Sequence, residues 1–182
     1  LDKHPLHRFD MISDYLPSCK VSPDAKLYFA YGSNMDHKQM KARCPSAKFI
    51  GCESLKNFEY YIDRRGVASL KPKYGATASG VIWDIQDTSD WEVLDNYEGV
   101  KSGIYQRHAI NADFYGHLET FQIYISNTLK EGNPRPGYQE NISEALVSLE
   151  SMFKKEISDM NKINKELSME VGLDNYDYPF KL

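Results

Sequence analysis

The 182-residue sequence predicts an α+β fold with a mostly antiparallel or mixed sheet. Short apolar and aromatic runs, separated by turn residues, follow one another between Leu27 and Ser126. After a Pro/Gly cluster at residues 132–137, apolar residues recur at steps of three and four, which is typical of an amphipathic helix. Because the strands come together and the long helix follows them, the order of elements argues against repeated βαβ units.

Composition and charge exclude several classes of protein. The net charge of −4 provides no basic field for nucleic acid or an anionic membrane. No apolar run reaches the roughly 18–20 residues of a membrane span, and the N-terminal LDKHPLHRFD lacks the apolar centre of a signal peptide. The three cysteines form no C-x-x-C pair, which favours free thiols in a reducing compartment. We therefore expect a cytoplasmic protein that binds neither nucleic acid nor membrane.

The first elements surround a glycine turn. Residues 1–26 lack steady periodicity and are interpreted as an N-terminal extension. Leu27–Tyr31 is an apolar and aromatic run that predicts a buried strand ending at Gly32. A helix is expected next, capped by Asn34 and running to about Arg43.

Several short strands are predicted downstream. Four of them are expected at Ala47–Glu53, Phe58–Ile62, Val67–Leu70 and Ala76–Ile85. The Lys-Pro-Lys-Tyr-Gly cluster at residues 71–75 predicts a turn between the last two. Tyr105–Asn111 and Leu118–Ser126 are expected to pair as a hairpin around Asp113–Gly116.

A short helix is predicted between these strand groups. Ser89 and Glu92 are three residues apart, as in a capping box, and precede apolar positions at helical spacing. Gly99 is a natural helix end, so Glu98 is expected at or just beyond that end.

Residues 139–182 are expected to be the helical C-terminal part of a domain formed by residues 27–182. The apolar positions from Ile142 to Leu167 favour one helix, or two in series, that packs against the sheet. Coiled-coil pairing is the alternative for this helix. A homodimer is also expected as a partner state of the chain.

The turn Tyr31-Gly32-Ser33-Asn34 is a candidate site for a small anion. Backbone N–H groups at a helix start have no partner within the helix, and glycine lets a ligand approach closely. Ser33 adds a hydroxyl. An ordinary strand–turn–helix connection is the alternative interpretation of these four residues.

Glu98 is the candidate acid–base residue. Apolar and aromatic neighbours could shield its carboxylate and raise its pKa by desolvation. A solvated glutamate at a helix end is the alternative. A serine hydrolase centred on Ser33 lacks a G-x-S-x-G elbow, and a thiol nucleophile at Cys44 or Cys52 lacks a clear histidine partner.

Two longer segments give these residues a context. LYFAYGSN at residues 27–34 resembles a signature of the γ-glutamylcyclotransferase family, and LDNYEGVKSGIY at residues 94–105 resembles a second one. GVASL and GVIWDI, at residues 66–70 and 80–85, fall in the expected order, and the resemblance extends to Tyr138. It implies a small, mixed, roughly closed β-barrel with flanking helices.

The same resemblance implies a reaction and roles for particular residues. A γ-glutamyl substrate is cyclised to 5-oxoproline, as in glutathione metabolism, without a metal or cofactor. Glu98 matches the catalytic glutamate, the loop Tyr31–Asn34 the γ-glutamyl site, Tyr105 an aromatic near that site and Tyr138 a pocket tyrosine. The leaving group stays open between an amino acid, an amine and a carrier-bound acyl group. A non-catalytic ligand-binding protein on this fold is the alternative function.

Overall fold

The computed structural model describes residues 26–114 and 116–170. Within them, the strands are β1 (Leu27–Ala30), β2 (Lys48–Ile62), β3 (Ala68–Asp84), β4 (Tyr105–Phe114) and β5 (His117–Ser126). The helices are α1 (His37–Arg43), α2 (Asp90–Tyr97) and α3 (Tyr138–Glu170), with a 3₁₀ turn at Ser33–Met35 between β1 and α1.

The strands form one mixed sheet in the order β2-β3-β1-β5-β4. β1 pairs antiparallel with β3 and parallel with β5, and both outer pairs are antiparallel hairpins. The predicted α+β class is therefore confirmed. The predicted closed barrel is wrong, because β2 and β4 are the two ends of this order and closure would require them to pair with each other.

β2 and β3 replace the four short strands that the sequence predicted. They pair from Lys48 opposite Asp84 to Ile62 opposite Ala68, with register shifts after Phe49 and after Lys56, and residues 73–76 of β3 are skipped at the second shift. At this shift Asn57 adopts a φ of 62°, and its Oδ1 accepts a hydrogen bond of 3.1 Å from the backbone N–H of residue 75. The turn residues therefore form an irregularity within a long hairpin and do not end a strand.

Both predicted helices are present, but the predicted cap of α1 is wrong, and Ser89 is the N-cap residue of α2 without the predicted capping box. Asp36 caps α1 by accepting a hydrogen bond of 2.7 Å from the backbone N–H of Gln39, while Asn34 lies buried in the 3₁₀ turn. Ser89 makes no side-chain cap at α2. Its backbone N–H and its hydroxyl both donate to Oδ1 of Asp87, at 2.9 Å and 2.8 Å, so Asp87 accepts the N–H that Glu92 accepts in a capping box.

β1 lies at the centre of the core. Its residues from Tyr28 to Ala30 are buried, and Trp83 on β3 and Phe121 on β5 are almost fully shielded beside it. α3 begins at Tyr138 and contacts the 3₁₀ turn, β2 and β3. Ile142 and Leu149 are the buried apolar residues of this helix among those whose burial is described.

Several expectations concern parts of the chain outside the described residues. Apart from Lys26, the expected extension at residues 1–26 lies outside them, and so do residues 171–182 of the expected helical part. The division into extension and domain therefore stays a prediction. No helix in the described part is both long and apolar enough to cross a membrane.

Candidate active site

The predicted loop follows directly after the central strand β1. After Ala30 the chain turns at Tyr31 and Gly32, and the 3₁₀ turn is closed by a hydrogen bond of 2.9 Å from Met35 N–H to the carbonyl of Gly32. The Tyr31 hydroxyl donates to the backbone carbonyl of Tyr124 on β5. The loop is therefore fixed both by its own turn and by the neighbouring strand.

Gly32 faces Tyr138 and Ala68 across the loop. A Cβ atom at this position would lie 3.4 Å from the Tyr138 hydroxyl and 3.7 Å from the Ala68 Cβ. A side chain here would reach into the space between the loop and α3. Both distances are ordinary van der Waals contacts, so the part of Gly32 in ligand approach stays a prediction.

Glu98 ends the second helix. Its backbone N–H bonds to the Leu94 carbonyl at 2.9 Å, and Gly99 follows with a φ of 65°, a conformation that favours glycine. The Glu98 carboxylate turns towards the loop, where its Oε1 accepts a hydrogen bond of 2.9 Å from Asn34 Nδ2. The predicted place of Glu98 at the helix end is confirmed.

Burial raises the pKa of Glu98 above its ordinary value. The guanidinium of Arg43, the hydrogen bond from Asn34 and the charge of Arg65 oppose this effect, and burial outweighs them. The side chain also lies at a helix C-terminus, where the helix dipole disfavours a negative charge. A glutamate in this environment is a better proton acceptor than a solvated one.

Asn34 joins the loop to the other side of the cavity. Its Nδ2 donates to the Tyr28 hydroxyl at 2.8 Å in addition to Glu98. Its backbone carbonyl accepts a hydrogen bond of 3.0 Å from Trp83 Nε1. With only 3% of its surface exposed, Asn34 is a buried structural link between the loop and the carboxylate.

Two tyrosines complete the wall of the cavity. The Tyr105 hydroxyl donates to the Ala68 carbonyl at 2.6 Å, and the Ala68 N–H donates to the Tyr138 hydroxyl at 3.2 Å. The Arg65 guanidinium lies 5.0 Å from the centre of the Tyr105 ring. These contacts connect β4, β3 and the first residue of α3.

One cavity brings together every site residue that the sequence predicted. Its lining consists of Tyr31, Gly32, Ser33, Asn34, Glu98, Tyr105 and Tyr138, joined by Tyr28, Ala68 and Tyr124. The sequence interpretation missed the last three, although Tyr28 and Ala68 lie within the quoted segments LYFAYGSN and GVASL. The catalytic and binding roles of all these residues stay predictions.

A larger groove of about 590 Å³ adjoins this cavity and shares Ser33 and Tyr138 with it. Asp36 and Gln39 line one side of the groove. The first turns of α3 line the other, through Asn141, Ile142, Glu144, Ala145 and Ser148. The cavity itself holds only about 40 Å³, which is roughly the space of one water molecule, so a ligand that reaches Glu98 must also occupy the groove.

A carboxylate of raised pKa in a small, tyrosine-lined cavity is typical of an enzyme that transfers protons. In the described part of the chain, no three His, Cys, Asp or Glu side chains gather as metal ligands. The site thus consists of one shielded carboxylate, one polar loop and a ring of aromatic hydroxyls.

Comparison with known proteins also indicates an enzyme. The model of the family described as gamma-glutamyl cyclotransferase, AIG2-like, matches residues 28–142. The chain therefore belongs to that family. Both predicted signature segments, LYFAYGSN and LDNYEGVKSGIY, fall almost entirely within the matched residues.

Individual relatives lead to the same family. Human gamma-glutamylcyclotransferase is 29% identical over 172 residues, which cover 84% of this chain and 91% of the relative. The mouse gamma-glutamylcyclotransferase is 32% identical over 127 residues, or 64% of this chain and 67% of the relative. A solved structure of a gamma-glutamyl cyclotransferase superposes with a TM-score of 0.62 at 28% identity, covering 68% of this chain and 79% of its own.

Proposed function

We propose that this chain cyclises γ-glutamyl groups to 5-oxoproline in the cavity between Tyr31–Asn34 and Glu98, with Glu98 as the general base. The position of the Glu98 carboxylate supports this proposal most. Burial raises the pKa of this carboxyl, and its Oε1 lies 2.9 Å from the side-chain nitrogen of the loop residue Asn34. Membership of the cyclotransferase family supports the reaction class.

The nucleophile is supplied by the substrate. An α-amino group titrates near about 8, so at neutral pH most of it is a non-nucleophilic ammonium. Glu98 takes one proton from this ammonium, and the amine nitrogen then attacks the γ-carbonyl carbon to close a five-membered ring. As the bond from that carbon to the leaving nitrogen breaks, Glu98 passes this proton to the leaving nitrogen. The ring nitrogen then loses its second proton, which the released amine takes up, so that 5-oxoproline keeps a single N–H. Such acid–base catalysis typically contributes about 10²–10⁴-fold.

The loop holds the substrate for this step. Backbone N–H groups at the start of a 3₁₀ turn lack partners within the turn and are suited to the substrate's α-carboxylate. The Ser33 hydroxyl adds a donor, and Gly32 leaves room for the ligand next to Tyr138. Holding the amine and the carbonyl together in this way lowers the entropic cost of ring closure.

The leaving group extends into the groove between the loop and α3. Ser33 and Tyr138 border both spaces, so a substrate that reaches Glu98 through the cavity extends past them into the groove. Ring closure needs only the γ-glutamyl part. The groove therefore decides which leaving amine is accepted and leaves the chemistry unchanged.

A direct assay tests the proposal. The purified chain is incubated with γ-glutamyl dipeptides and γ-glutamyl amines, and 5-oxoproline is measured by mass spectrometry. The Glu98→Gln variant is expected to lose turnover while it keeps ligand affinity. Glu92→Gln, at an exposed position of the same helix, is the matched control and is expected to keep full activity.

Two results would contradict the proposal. Substrate binding without any 5-oxoproline from the wild-type chain would support the alternative of a non-catalytic ligand-binding protein. Near wild-type turnover by Glu98→Gln would remove Glu98 from the mechanism. A cytoplasmic location and a homodimer also stay predictions, which cell fractionation and light scattering can test.

A further inference from the structure

The side chain of Asn34 has three hydrogen-bond partners, and they require one orientation of its amide. Two of them, the Tyr28 hydroxyl and Glu98 Oε1, accept hydrogen bonds from Nδ2. The third is Arg43, whose Nη1 donates to Oδ1. Because the amide nitrogen only donates and the amide oxygen only accepts, these partners distinguish the two ends of the group.

Arg43 is itself held in place. It is the last residue of α1, where a cation is favoured by the helix dipole. Its guanidinium carbon lies 4.2 Å from the centre of the Tyr97 ring, over the residue next to Glu98. The side chain thus bridges the C-terminal ends of α1 and α2, and its charge lies beside the cavity.

We propose that Arg43 is a positioning residue for the catalytic carboxylate, acting through the amide of Asn34. By donating to Oδ1 it keeps Nδ2 turned towards Glu98, which fixes the carboxylate in the direction of the loop. This inference rests on the proposed function of Glu98 as the base. Arg43 is not a lining residue of the cavity, so its role is indirect.

The reversed orientation of the Asn34 amide shows why Arg43 alone can keep Nδ2 turned towards Glu98. In the reversed orientation Oδ1 would face the Glu98 carboxylate, and Nδ2 would face the guanidinium. The first contact would bring two acceptors together and the second two donors. Without Arg43 only the contact with Glu98 opposes reversal, and that contact weakens whenever the carboxylate takes up a proton.

The charge of Arg43 adds a second effect. It is the largest of the influences that lower the pKa of Glu98 against the effect of burial. Arg65 also lowers this pKa, but its guanidinium is hydrogen-bonded to Asp63 and Ser126. Arg43 therefore both orients the base and limits the rise of its pKa.

The experiment compares three variants of the whole chain. Arg43→Met removes the charge and the donors, Arg43→Lys keeps the charge, and Lys38→Met removes an exposed cation from the same helix as a control. NMR follows the side-chain amide of Asn34 and the titration of the Glu98 carboxyl carbon, assigned with Asn34→Ala and Glu98→Gln. The pH profiles of kcat and kcat/KM are measured in parallel, and circular dichroism checks folding.

Arg43→Met is expected to shift the Asn34 amide signal, raise the pKa of the Glu98 carboxyl and lower kcat by roughly 10–100-fold with KM little changed. Arg43→Lys should restore most of the Glu98 titration, and Lys38→Met should leave every measurement unchanged. A folded Arg43→Met protein with wild-type Asn34 and Glu98 signals would overturn the inference. The NMR measurements do not depend on turnover, so an inactive wild-type chain would contradict the proposed function separately.

Discussion

Tyr105 and Tyr138 are hydrogen-bonded to the same residue, Ala68, through its carbonyl at 2.6 Å and its N–H at 3.2 Å respectively. Tyr105 begins β4 and Tyr138 begins α3, so two distant parts of the sequence meet across one peptide segment of β3. This contact joins the start of α3 to β3 beside the loop, so we expect it to influence the width of the cavity.

Removing the Tyr138 hydroxyl should loosen this wall. We expect Tyr138→Phe to lower kcat/KM by about tenfold, because Ala68 N–H loses its acceptor and the space beside Gly32 widens. Steady-state kinetics measure the effect. Tyr74→Phe, at a side chain that is 97% exposed, is the control. Equal kcat/KM values for the two variants would show that the hydroxyl does not shape the site.

The pH dependence of turnover should follow Glu98. Burial raises the pKa of this carboxyl, and only the ionised form can accept a proton from the substrate. Activity should therefore fall on the acidic side at a pH above the ordinary glutamate value of about 4.3. The acid limb of kcat/KM, recorded with a γ-glutamyl dipeptide, is the measurement. An acid limb at or below the ordinary value would contradict the shielding of Glu98.

The same raised pKa has a consequence for stability. A carboxyl whose pKa is higher in the folded state contributes stability below its unfolded pKa, and this contribution is lost as the pH rises through the folded pKa. At neutral pH the charged Glu98 therefore destabilises the fold. Glu98→Gln should unfold at an equal or higher temperature than the wild type at pH 7, with a smaller difference at pH 4, as measured by calorimetry. A clearly lower melting temperature at pH 7 would refute this.

Asp63 should behave in the opposite way. Burial opposes its ionisation, but hydrogen bonds from Arg65 and Ser126 outweigh burial and hold the pKa below the ordinary value. Its contribution to stability is present above about pH 3.9 and is lost as the pH falls through the lower folded pKa. We expect Asp63→Asn to lower the free energy of unfolding at pH 7 by about 1–3 kcal/mol in urea titrations.

A matched control isolates the effect of burial at Asp63. Glu119→Gln removes one negative charge from an exposed position on β5 and should change stability by less than about 0.5 kcal/mol. Similar losses in both variants would attribute the effect to net charge and not to the buried network.

Gly80 should tolerate no side chain. A Cβ atom at this position on β3 would lie 2.5 Å from the Ala30 carbonyl oxygen and 2.6 Å from the Phe29 ring. Gly80→Ala is therefore expected to cost about 1–3 kcal/mol of stability, measured by chemical unfolding. Ser79→Ala, at the exposed neighbouring position, should be nearly neutral. A neutral Gly80→Ala variant would show that β1 and β3 can separate without cost.

Local patterns in the sequence predicted most elements of this fold. The apolar run at Leu27 gave the central strand, and Gly99 correctly marked the end of α2 beside Glu98. The long hairpin of β2 and β3 was not predictable, because Asn57 and the turn residues opposite it normally interrupt strands. Their mutual hydrogen bond, which only the paired strands create, links the two strands where the pairing is interrupted at residues 73–76.

The site was predictable for a different reason. Its residues lie in two segments that resemble a known family, and the cavity indeed contains every one of them. The interpretation of Asn34 as a helix cap was wrong, because Asp36 offers the same chemistry at a better position. Asn34 was then available for Glu98, a contact between residues 64 positions apart that no local pattern can reveal.

The central position of β1 also affects how the molecule reaches its active state. Two hairpins, β2 with β3 and β4 with β5, can form from residues that are near in sequence. By contrast, Leu27 on β1 pairs with Asp84 and Phe121, which are distant in sequence. Contacts between distant residues are the slow part of folding. Since the loop follows β1 directly, we expect insertion of this four-residue strand to create the cavity and enzymatic activity to be the last property to return during refolding.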